Sequence, residues 1–365
     1  MEIVGLICEY NPFHNGHVYH INKIKELYPN SLLVLVMSGY FTERGEVSLI
    51  SKYNKTKIAL DYGIDIVIEL PSLYAVNSAD IFAEESVKRL AALGVTKLVF
   101  GSESNEIKTL MGIALKQNSD EFNNTVKQEL DKGVNYPTAL SKACGTKLES
   151  NDLLGVSYIK AIINNNFNIE PILIKRTNSF KDTTNDCSIV SALNIREKIK
   201  EGKSIVKYLP EYDYSYINKI DHQKLFELLK YKIIVDNNLD EYLGVDEGLA
   251  NKIKKEIIKS TNIDDLIMNI KSKRYTYVRI QRMLIHILLG IKKEDINLNY
   301  EINRILGFNS KGKKYLKDIE SDKIAYKNSE QIYLIEQRAA YVYRIITNDE
   351  STGLESLNKP IIKED

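Results

Sequence analysis

Three features of the amino-acid sequence indicate an α/β protein with a Rossmann-like, doubly wound parallel sheet and a mostly helical C-terminal domain. Five short apolar runs rich in β-branched residues lie between Glu2 and Arg176. They are continuous rather than alternating, which suits strands covered on both faces. Helical patterns separate the runs, which predicts right-handed crossovers between parallel strands. Beyond Leu209–Pro210 long helical patterns replace them, so we predict domains at residues 1–209 and 210–365.

The predicted elements alternate along the first domain. The strand runs are EIVGLI, SLLVLVM, IDIVIELP, VTKLVFGS and IEPILIKR. The first helix is predicted at His17–Leu27, and Gly63 ends the helix KYNKTKIALDYG as a C-cap residue would. In SADIFAEESVKRLAALG, Ser78 is a candidate N-cap and Gly94 closes the helix. The second domain is predicted to be helical in QKLFELLKYKIIV, EGLANKIKKEIIK, YTYVRIQRMLIHILLGI, INRILGF and SEQIYLIEQRAAYVYRIIT.

The composition is that of a globular protein that buries a core, with 44% hydrophobic and 27% charged residues and a formal net charge of +1. Cys8, Cys144 and Cys187 are widely spaced, which favours a reducing, cytoplasmic location over a disulfide framework or a cysteine-based zinc site. No apolar stretch approaches the roughly 20 residues of a membrane-spanning helix. The N-terminus lacks the basic region of a signal peptide. We therefore expect no membrane association, and we predict no stable protein partner.

Three of the five histidines lie in one segment, CEYNPFHNGHVYHI, between the first predicted strand and the first helix. A metal site is one explanation. However, His14, His17 and His20 are spaced i, i+3 and i+6, which puts the last about 240° around a helix from the first. No nearby acidic cluster completes a ligand shell. We therefore predict no metal ligands here.

A phosphate site is the second explanation for the histidines. Ligands of doubly wound sheets bind beyond the carboxyl ends of the strands, and this loop enters a helix N-terminus, where N–H groups and the helix dipole favour an anion. Gly16 has no Cβ to obstruct a nucleotide. His14 and His17 lie about one turn apart and would stabilise charge that develops on phosphates during transfer. We predict both as catalytic residues, with chance placement as the alternative.

Two further segments that follow predicted strands are candidates for phosphate or acetate. In SALNIR, Ser191 would begin a helix and Arg196 would meet phosphate, unless they are an ordinary N-cap and an ordinary surface charge. The amides of Ser38 and Gly39 follow the second strand and would hold a small carboxylate. Arg44, in the same loop, would meet phosphate or RNA, or else pair with a neighbouring glutamate.

The combination of HNGH and SALNIR resembles the HxGH nucleotidyltransferase superfamily. Longer stretches resemble the bacterial tRNA(Met) cytidine acetate ligases and together span nearly the whole chain; they include GLICEYNPFHNGHVYHI, VMSGYFTERGEVSLISKY and RYTYVRIQRMLIHILLGI. The resemblance implies that ATP and acetate form acetyl-adenylate and pyrophosphate. The acetyl group would then pass to N4 of the wobble cytidine of elongator tRNA(Met), giving N4-acetylcytidine and AMP.

The resemblance also implies an ATP site in which the loop Ile7–His20 holds the nucleotide, with His14 and His17 on the phosphates. The predicted ATP-binding residues are Ile7, Cys8, Glu9, Tyr10, Asn11, Pro12, Phe13, His14, Asn15, Gly16, His17, His20, Gly101, Asn151 and Arg176. We expect Mg2+ on the triphosphate, where it would neutralise developing charge, although the sequence shows no dedicated carboxylate cage.

The sequence departs from the usual pattern of that family at three positions. Asp152 stands where a second asparagine is common, which leaves the contact residue of SNDLLG open. Leu193 replaces a residue with a hydroxyl, which weakens the inference from SALNIR. Val47 stands where proline is usual, and we expect no consequence from it.

A basic segment lies in the predicted second domain. From Lys271 to Leu316 there are 11 Lys or Arg residues against 3 Asp or Glu, with Tyr275 and Tyr277 interleaved. Basic charge with aromatic rings suits phosphate contact and base stacking. The predicted RNA-binding residues are Lys271, Lys273, Arg274, Arg279, Arg282, Lys311, Lys313 and Lys314. For any one of them, a solvated charged face is the alternative.

Two other functions are open on the sequence alone. A nucleotidyltransferase acting on a small phosphorylated metabolite would use the same fold and histidines, although it would not need a basic helical domain. A non-catalytic RNA-binding protein with a vestigial nucleotide pocket would not need His14, Gly16 and His17 intact.

Overall fold

One sheet forms the centre of the protein. The structure is a computed structural model that describes residues 1–145, 148–177, 187–246, 248–298, 303–319, 323–325, 329–357 and 359–364. Its strands are β1 (Ile3–Cys8), β2 (Leu32–Ser38), β3 (Ile66–Leu70), β4 (Lys97–Ser102), β5 (Glu170–Lys175), β6 (Asn303–Asn309), β7 (Ile324–Ala325) and β8 (Ile361–Lys363). They lie in the order β5-β4-β1-β2-β3-β6-β7, and β8 pairs with β6.

Helices cover both faces of this sheet and form much of the remaining part of the chain that the structure describes. Those of the first part are α1 (Asn15–Leu27), α2 (Lys52–Asp61), α3 (Ser72–Ala75), α4 (Ala79–Ala92), α5 (Ile107–Lys116), α6 (Asp120–Asp131), α7 (Tyr136–Cys144), α8 (Ser150–Asn164) and α9 (Ala192–Lys200). Those of the second part are α10 (His222–Val235), α11 (Leu249–Ile257), α12 (Ile263–Ile270), α13 (Tyr277–Leu289), α14 (Ser310–Leu316), α15 (Glu330–Thr347) and α16 (Leu354–Leu357).

The predicted doubly wound sheet is confirmed. All five predicted strands are present, and the pairs β1–β2, β2–β3, β1–β4 and β4–β5 are parallel. Strands β1, β2 and β3 are almost fully buried, because helices pack on both faces. Winding reverses between β1 and β4, so the crevice at the carboxyl ends of these two strands is the expected ligand site.

The segment INRILGF contains a strand, and its prediction as helical was wrong. Residues Asn303–Asn309 form β6, which runs antiparallel to β3 and extends the sheet. A short apolar run reads equally as a buried strand or as part of a buried helix, and its partner strand is far away in sequence. The strands β6, β7 and β8 therefore join the sheet of the first part, while the domain boundary at 209/210 stays a prediction.

A buried network of charged side chains ties this added strand to the core. The Nζ of Lys52 lies 2.6 Å from Glu355 and 3.1 Å from Glu336, and it also contacts Glu69. Arg304 of β6 pairs with Glu69 at 3.1 Å and with Glu355. Each of these side chains is at most 4% exposed. The network thus joins α2, β3, β6, α15 and α16.

No helix in the described part of the chain is both long and apolar enough to cross a membrane. Likewise, the described residues contain no group of three or more His, Cys, Asp or Glu side chains arranged to hold a metal ion.

Candidate functional site

A cleft of about 1390 Å³ opens beyond the carboxyl ends of β1 and β4. Its walls are the β1–α1 loop, the loop after β2, the start of α8 and one face of α13. The predicted site residues that line it are Ile7, Cys8, Glu9, Tyr10, Asn11, His14, Gly16, His17, His20, Gly101, Asn151, Arg176, Arg196, Arg274, Arg279 and Arg282. The predicted residues that do not line it are Pro12, Phe13, Asn15, Ser38, Gly39, Ser191, Lys271, Lys273, Lys311, Lys313 and Lys314.

His14 and His17 form a reciprocal cap at the start of α1. The Nδ1 of His14 accepts the N–H of Gly16 at 3.0 Å, and the Nδ1 of His17 accepts the N–H of His14 at 3.2 Å. Their ring centroids lie 3.8 Å apart. Because each Nδ1 is an acceptor, each neutral ring carries its proton on Nε2. The cap therefore presents two N–H donors to the cleft.

Burial keeps these rings neutral. It is the main reason why the pKa of His14 falls to about 3, and the positive charges of Arg176 and Arg196 lower it further. Burial and the adjacent His14 ring hold the pKa of His17 well below its usual value. Burial, with Arg176, lowers the pKa of His20 to about 4. A bound polyanion would reverse the charge effect, because a negative group favours the imidazolium form.

Gly16 leaves space for the His14 ring in the reciprocal cap. A Cβ at this position would lie 2.8 Å from Cε1 and 3.0 Å from Nδ1 of the His14 ring. Any side chain here would therefore push the His14 ring out of its bond with the Gly16 N–H.

The remaining loop residues divide into anchors and residues with buried polar atoms that lack a partner. Phe13 is fully buried, and the side chain of Asn15 donates to the carbonyls of Ser188 and Lys207 at 3.0 and 3.1 Å. These contacts explain why both residues lie outside the cleft wall. Two buried polar atoms of the segment Ile7–His20 have no hydrogen-bond partner among the described residues: Asn11 Nδ2 and His20 Nε2. Such atoms are available to a ligand.

Glu103 and Asp152 hold the opposite wall, and neither is among the site residues predicted from the sequence. Glu103 accepts the N–H of Asp152 at 3.1 Å and the side-chain amide of Asn151 at 2.5 Å. Asp152 is buried and accepts the N–H groups of Glu103 and Ser104 at 3.2 and 3.0 Å. The carboxylate of Asp152, at the start of α8, is thus the acceptor for two backbone N–H groups of the turn after β4. It fixes this turn to α8.

Gly101 and Arg176 lie side by side at the ends of β4 and β5. A Cβ on Gly101 would come within 3.3 Å of the Arg176 side chain. The guanidinium of Arg176 lies 3.8 Å from Glu103. The structure thus brings Gly101, Asn151 and Arg176 together across the cleft from the histidine cap.

Ser191 and Arg196 have different positions, although they belong to one segment. Ser191 is buried and caps α9 by accepting the N–H of Asn194 at 3.2 Å, which is the ordinary N-cap alternative. Arg196 lines the cleft, donates to the carbonyl of Asn11 at 2.9 Å and pairs with Glu46 at 2.9 Å. Arg196 therefore links α9 to two loops at the cleft.

Ser38 and Gly39 are turned away from the cleft. Both are buried at the end of β2, where their carbonyls accept hydrogen bonds from Lys55 Nζ at 2.7 and 2.8 Å. Lys55 also donates to the carbonyl of Glu9 at 2.9 Å. Burial lowers the pKa of Lys55 to about 7, yet three carbonyl acceptors require the three N–H donors of an ammonium, so this geometry favours the charged form.

The basic segment of the sequence forms two separate surfaces. Arg274, Arg279 and Arg282 line the cleft. In contrast, Lys311 pairs with Asp65 at 3.3 Å, and Asp65 precedes β3 at the amino end of the parallel strands. The helix α14, which carries Lys311, Lys313 and Lys314, therefore lies at the other end of the sheet.

The cleft arginines are not equivalent. Arg279 is 44% exposed, stacks over Tyr275 at 4.7 Å and pairs with Asp246 at 2.6 Å. Arg282 is only 20% exposed and binds Glu43 twice, through the carboxylate at 2.5 Å and the carbonyl at 2.7 Å. Arg282 thus anchors the loop after β2, while Arg279 is open to a partner in solution.

Known proteins are similar to this chain over most of its length. The family model described as HIGH Nucleotidyl Transferase matches residues 1–356. The tRNA(Met) cytidine acetate ligase of Caldicellulosiruptor saccharolyticus is 39% identical over 92% of this chain and 89% of its own length. The tRNA(Met) cytidine acetate ligase of Clostridium novyi is 36% identical over 99% of both chains.

Solved structures are also similar over the whole chain. The apo crystal structure (form I) of Thermotoga maritima TmcAL superposes with a TM-score of 0.90 at 28% identity, covering 100% of both chains. The crystal structure of Thermotoga maritima TmcAL bound with alpha-thio ATP (form II) superposes with a TM-score of 0.88 over the same coverage.

Proposed function

This chain belongs to the tRNA(Met) cytidine acetate ligase family, and on that premise we propose that it is an ATP-dependent, AMP-forming tRNA cytidine acetate ligase. In the first step, a carboxylate oxygen of acetate attacks the α-phosphate of ATP, and pyrophosphate leaves. In the second step, N4 of the wobble cytidine of elongator tRNA(Met) attacks the carbonyl carbon of acetyl-adenylate. The products are N4-acetylcytidine and AMP.

One observation carries the proposal: the paired Nε2–H donors of His14 and His17 at the N-terminus of α1. The positive end of the helix dipole favours a phosphate at this position. Donors that are already oriented stabilise charge on the transition state without reorganisation. In this proposal the pyrophosphate part of ATP lies against the two rings.

The opposite wall would hold the nucleoside and the α-phosphate. Gly101 leaves space for the nucleotide against the strand end, the guanidinium of Arg176 provides positive charge, and Asn151 provides an amide. Glu103, which binds Asn151 and lies near Arg176, would position both. The positioning of acetate in line with the α-phosphate can contribute several kcal/mol to the rate.

Mg2+ fits this site only as an ion carried by the triphosphate. The carboxylates of Glu43 and Glu46 are paired with arginines, and no metal-binding group of three side chains lies in the described parts of the chain. When bound, the ion would neutralise charge on the phosphate oxygens. The protein residues would then contact the phosphates rather than the metal.

The RNA would approach from the wall formed by α13. Arg274 and Arg279 are exposed there beside Tyr275. Such residues contact phosphates and stack on bases. A wobble base that leaves its stack would enter the cleft from this side.

The test is ATP–pyrophosphate exchange with acetate, followed by transfer of labelled acetate to bulk tRNA. We expect exchange to require acetate, and the label to reach tRNA. His17→Ala should lower exchange by about 100-fold or more, with tRNA affinity near that of the wild type. His222→Ala, at the start of α10 and outside the cleft wall, is the matched control.

Two results would overturn the proposal. Exchange without acetate, or label in a small molecule, indicates a metabolite nucleotidyltransferase. tRNA binding without any exchange indicates a non-catalytic RNA-binding protein.

A further inference from the structure

Glu9 places a carboxylate at the carboxyl end of β1. The residue follows Cys8 directly, is half-buried and lines the cleft. Its Oε1 accepts the N–H of Glu43 at 2.7 Å. Its Oε2 accepts no hydrogen bond from any residue in the described ranges. One oxygen is therefore fixed, and the other is available to a ligand.

Glu9 lies between the side of the cleft proposed to hold the nucleotide and the side proposed to face the RNA. The residue is one position from Tyr10, whose ring lies 4.7 Å from that of His17 on the nucleotide side. Through Glu43 it is connected to Arg282 of α13 on the side of the RNA. An acetyl group on the nucleotide and a base from the RNA would meet at this strand end.

Charged and titratable groups surround the carboxylate from several elements. Those that face it are Cys8 of β1, Glu43 and Glu46 of the loop after β2, Lys55 of α2, Tyr158 of α8 and Arg282 of α13. Burial, with the negative charges of Glu43 and Glu46, raises the pKa of Glu9 to about 7, against the opposing effects of the hydrogen bond from the Glu43 N–H and the positive charge of Lys55. A base with a pKa near the working pH is the most effective one.

Five other groups in the cleft are poor proton acceptors. His14 and His17 each use Nδ1 as an acceptor and carry a proton on Nε2, so neither ring has a free lone pair. Burial raises the pKa of the Cys8 thiol to about 12. The carboxylates of Glu43 and Glu46 are held by Arg282 and Arg196. Among these groups, Glu9 combines a fixed orientation with an oxygen that accepts no hydrogen bond from the described residues.

We propose that Glu9 is the catalytic base of acetyl transfer; this inference rests on the proposed function. The N4 amine forms a bond to the acetyl carbonyl carbon, and the bond from that carbon to the phosphate oxygen breaks. AMP leaves with the electron pair of the broken bond. The proton lost from N4 passes to Oε2 of Glu9, and water takes it up after the product departs.

The test separates the two half-reactions in Glu9→Gln. Glutamine can still accept the N–H of Glu43 through its amide oxygen, but it cannot take a proton. Acetate-dependent exchange is measured first. Transfer is then measured in a single turnover, with enzyme preincubated with ATP and acetate and mixed with a transcript of elongator tRNA(Met), from pH 5.5 to 8.5.

We expect the loss of transfer in Glu9→Gln to exceed any loss of exchange by about 100-fold or more. The wild-type transfer rate should fall about tenfold per pH unit below pH 7, and this dependence should be absent in Glu9→Gln. Glu46→Gln removes the same charge from the same wall and should keep the pH dependence. Glu9→Asp should retain part of the transfer and keep the acid limb.

Three results would overturn the role of Glu9. They are equal losses of exchange and transfer, transfer in Glu9→Gln within threefold of the wild type, and a wild-type rate that does not fall on acidification. If Glu9→Gln does not fold, the wild-type profile and Glu9→Asp decide the question. Absence of acetate-dependent exchange in the wild type would instead refute the proposed function.

Discussion

Gly16→Ala should separate catalysis from stability at the histidine cap. The added Cβ would lie 2.8 Å from Cε1 of His14, a ring that is only 7% exposed and therefore has little room to move. We expect the His14 ring to rotate away from the Gly16 N–H, and its Nε2 donor to leave the cleft wall.

Two effects of Gly16→Ala on the free energy of unfolding oppose each other. Alanine is a better helix former than glycine by about 0.8–1.0 kcal/mol in a helix interior. Loss of an N-cap hydrogen bond costs about 1 kcal/mol. The free energy of unfolding should thus change by less than about 1 kcal/mol. Removal of one preoriented donor lowers turnover by about 100-fold to 1000-fold, so the activity should fall far more than the stability.

The assay compares urea unfolding with ATP–pyrophosphate exchange. Gly112→Ala is the matched control, because Gly112 lies in α5, is exposed, and a Cβ at this position would meet no other atom within 4 Å. That variant should gain about 0.5–1 kcal/mol of stability with wild-type exchange. If Gly16→Ala exchanges at the wild-type rate, the position of the His14 ring does not matter to catalysis.

Two further predictions concern stability. Burial holds the pKa of His20 at about 4, against an ordinary value of 6.5, so the folded state keeps this ring neutral. The free energy of unfolding should therefore fall as the pH drops below 6.5. In urea titrations at pH 5, His20→Gln should lessen that fall by on the order of 1 kcal/mol, and parallel pH curves for the variant and the wild type would contradict the reasoning. Lys52→Met should cost about 3–5 kcal/mol in urea unfolding, because it leaves buried carboxylates without their cation, and Lys52→Met with Glu336→Leu should recover part of the loss. Lys23→Met, in an exposed ion pair, should leave the free energy of unfolding nearly unchanged, and an equally small effect of Lys52→Met would refute the role of the network.

The fold was predictable where its signals are local. Each of β1 to β5 is a continuous apolar run in one stretch of sequence, and burial on both faces explains the pattern. The strand β6 was not predictable in this way. Its identity depends on pairing with β3, and β3 residue Ile68 pairs with Ile305. No short window of sequence contains that information.

The same distinction between local patterns and contacts distant in sequence applies to the site. The histidine cap was predictable because its residues are contiguous and precede a helix. The contact of Asp152 with the turn after β4 joins residues that are 48 and 49 positions apart, and the bond from Arg282 to Glu43 spans 239 positions. Ser38 and Gly39 were placed correctly at a strand end, but Lys55 occupies their carbonyls from the following helix. Such contacts depend on how helices cover the strand ends, which no local pattern encodes.

The antiparallel strand β6 has a consequence for how large a substrate can enter. β6 and Arg304 build part of the second half of the chain into the sheet and its core, and Arg282 of α13 binds the loop after β2, so both halves of the chain form the walls of the cleft. Its volume of about 1390 Å³ exceeds the roughly 300–1,000 Å³ of a pocket for one small ligand. In the proposed function, this space would hold one nucleotide together with a single base that has left its stack.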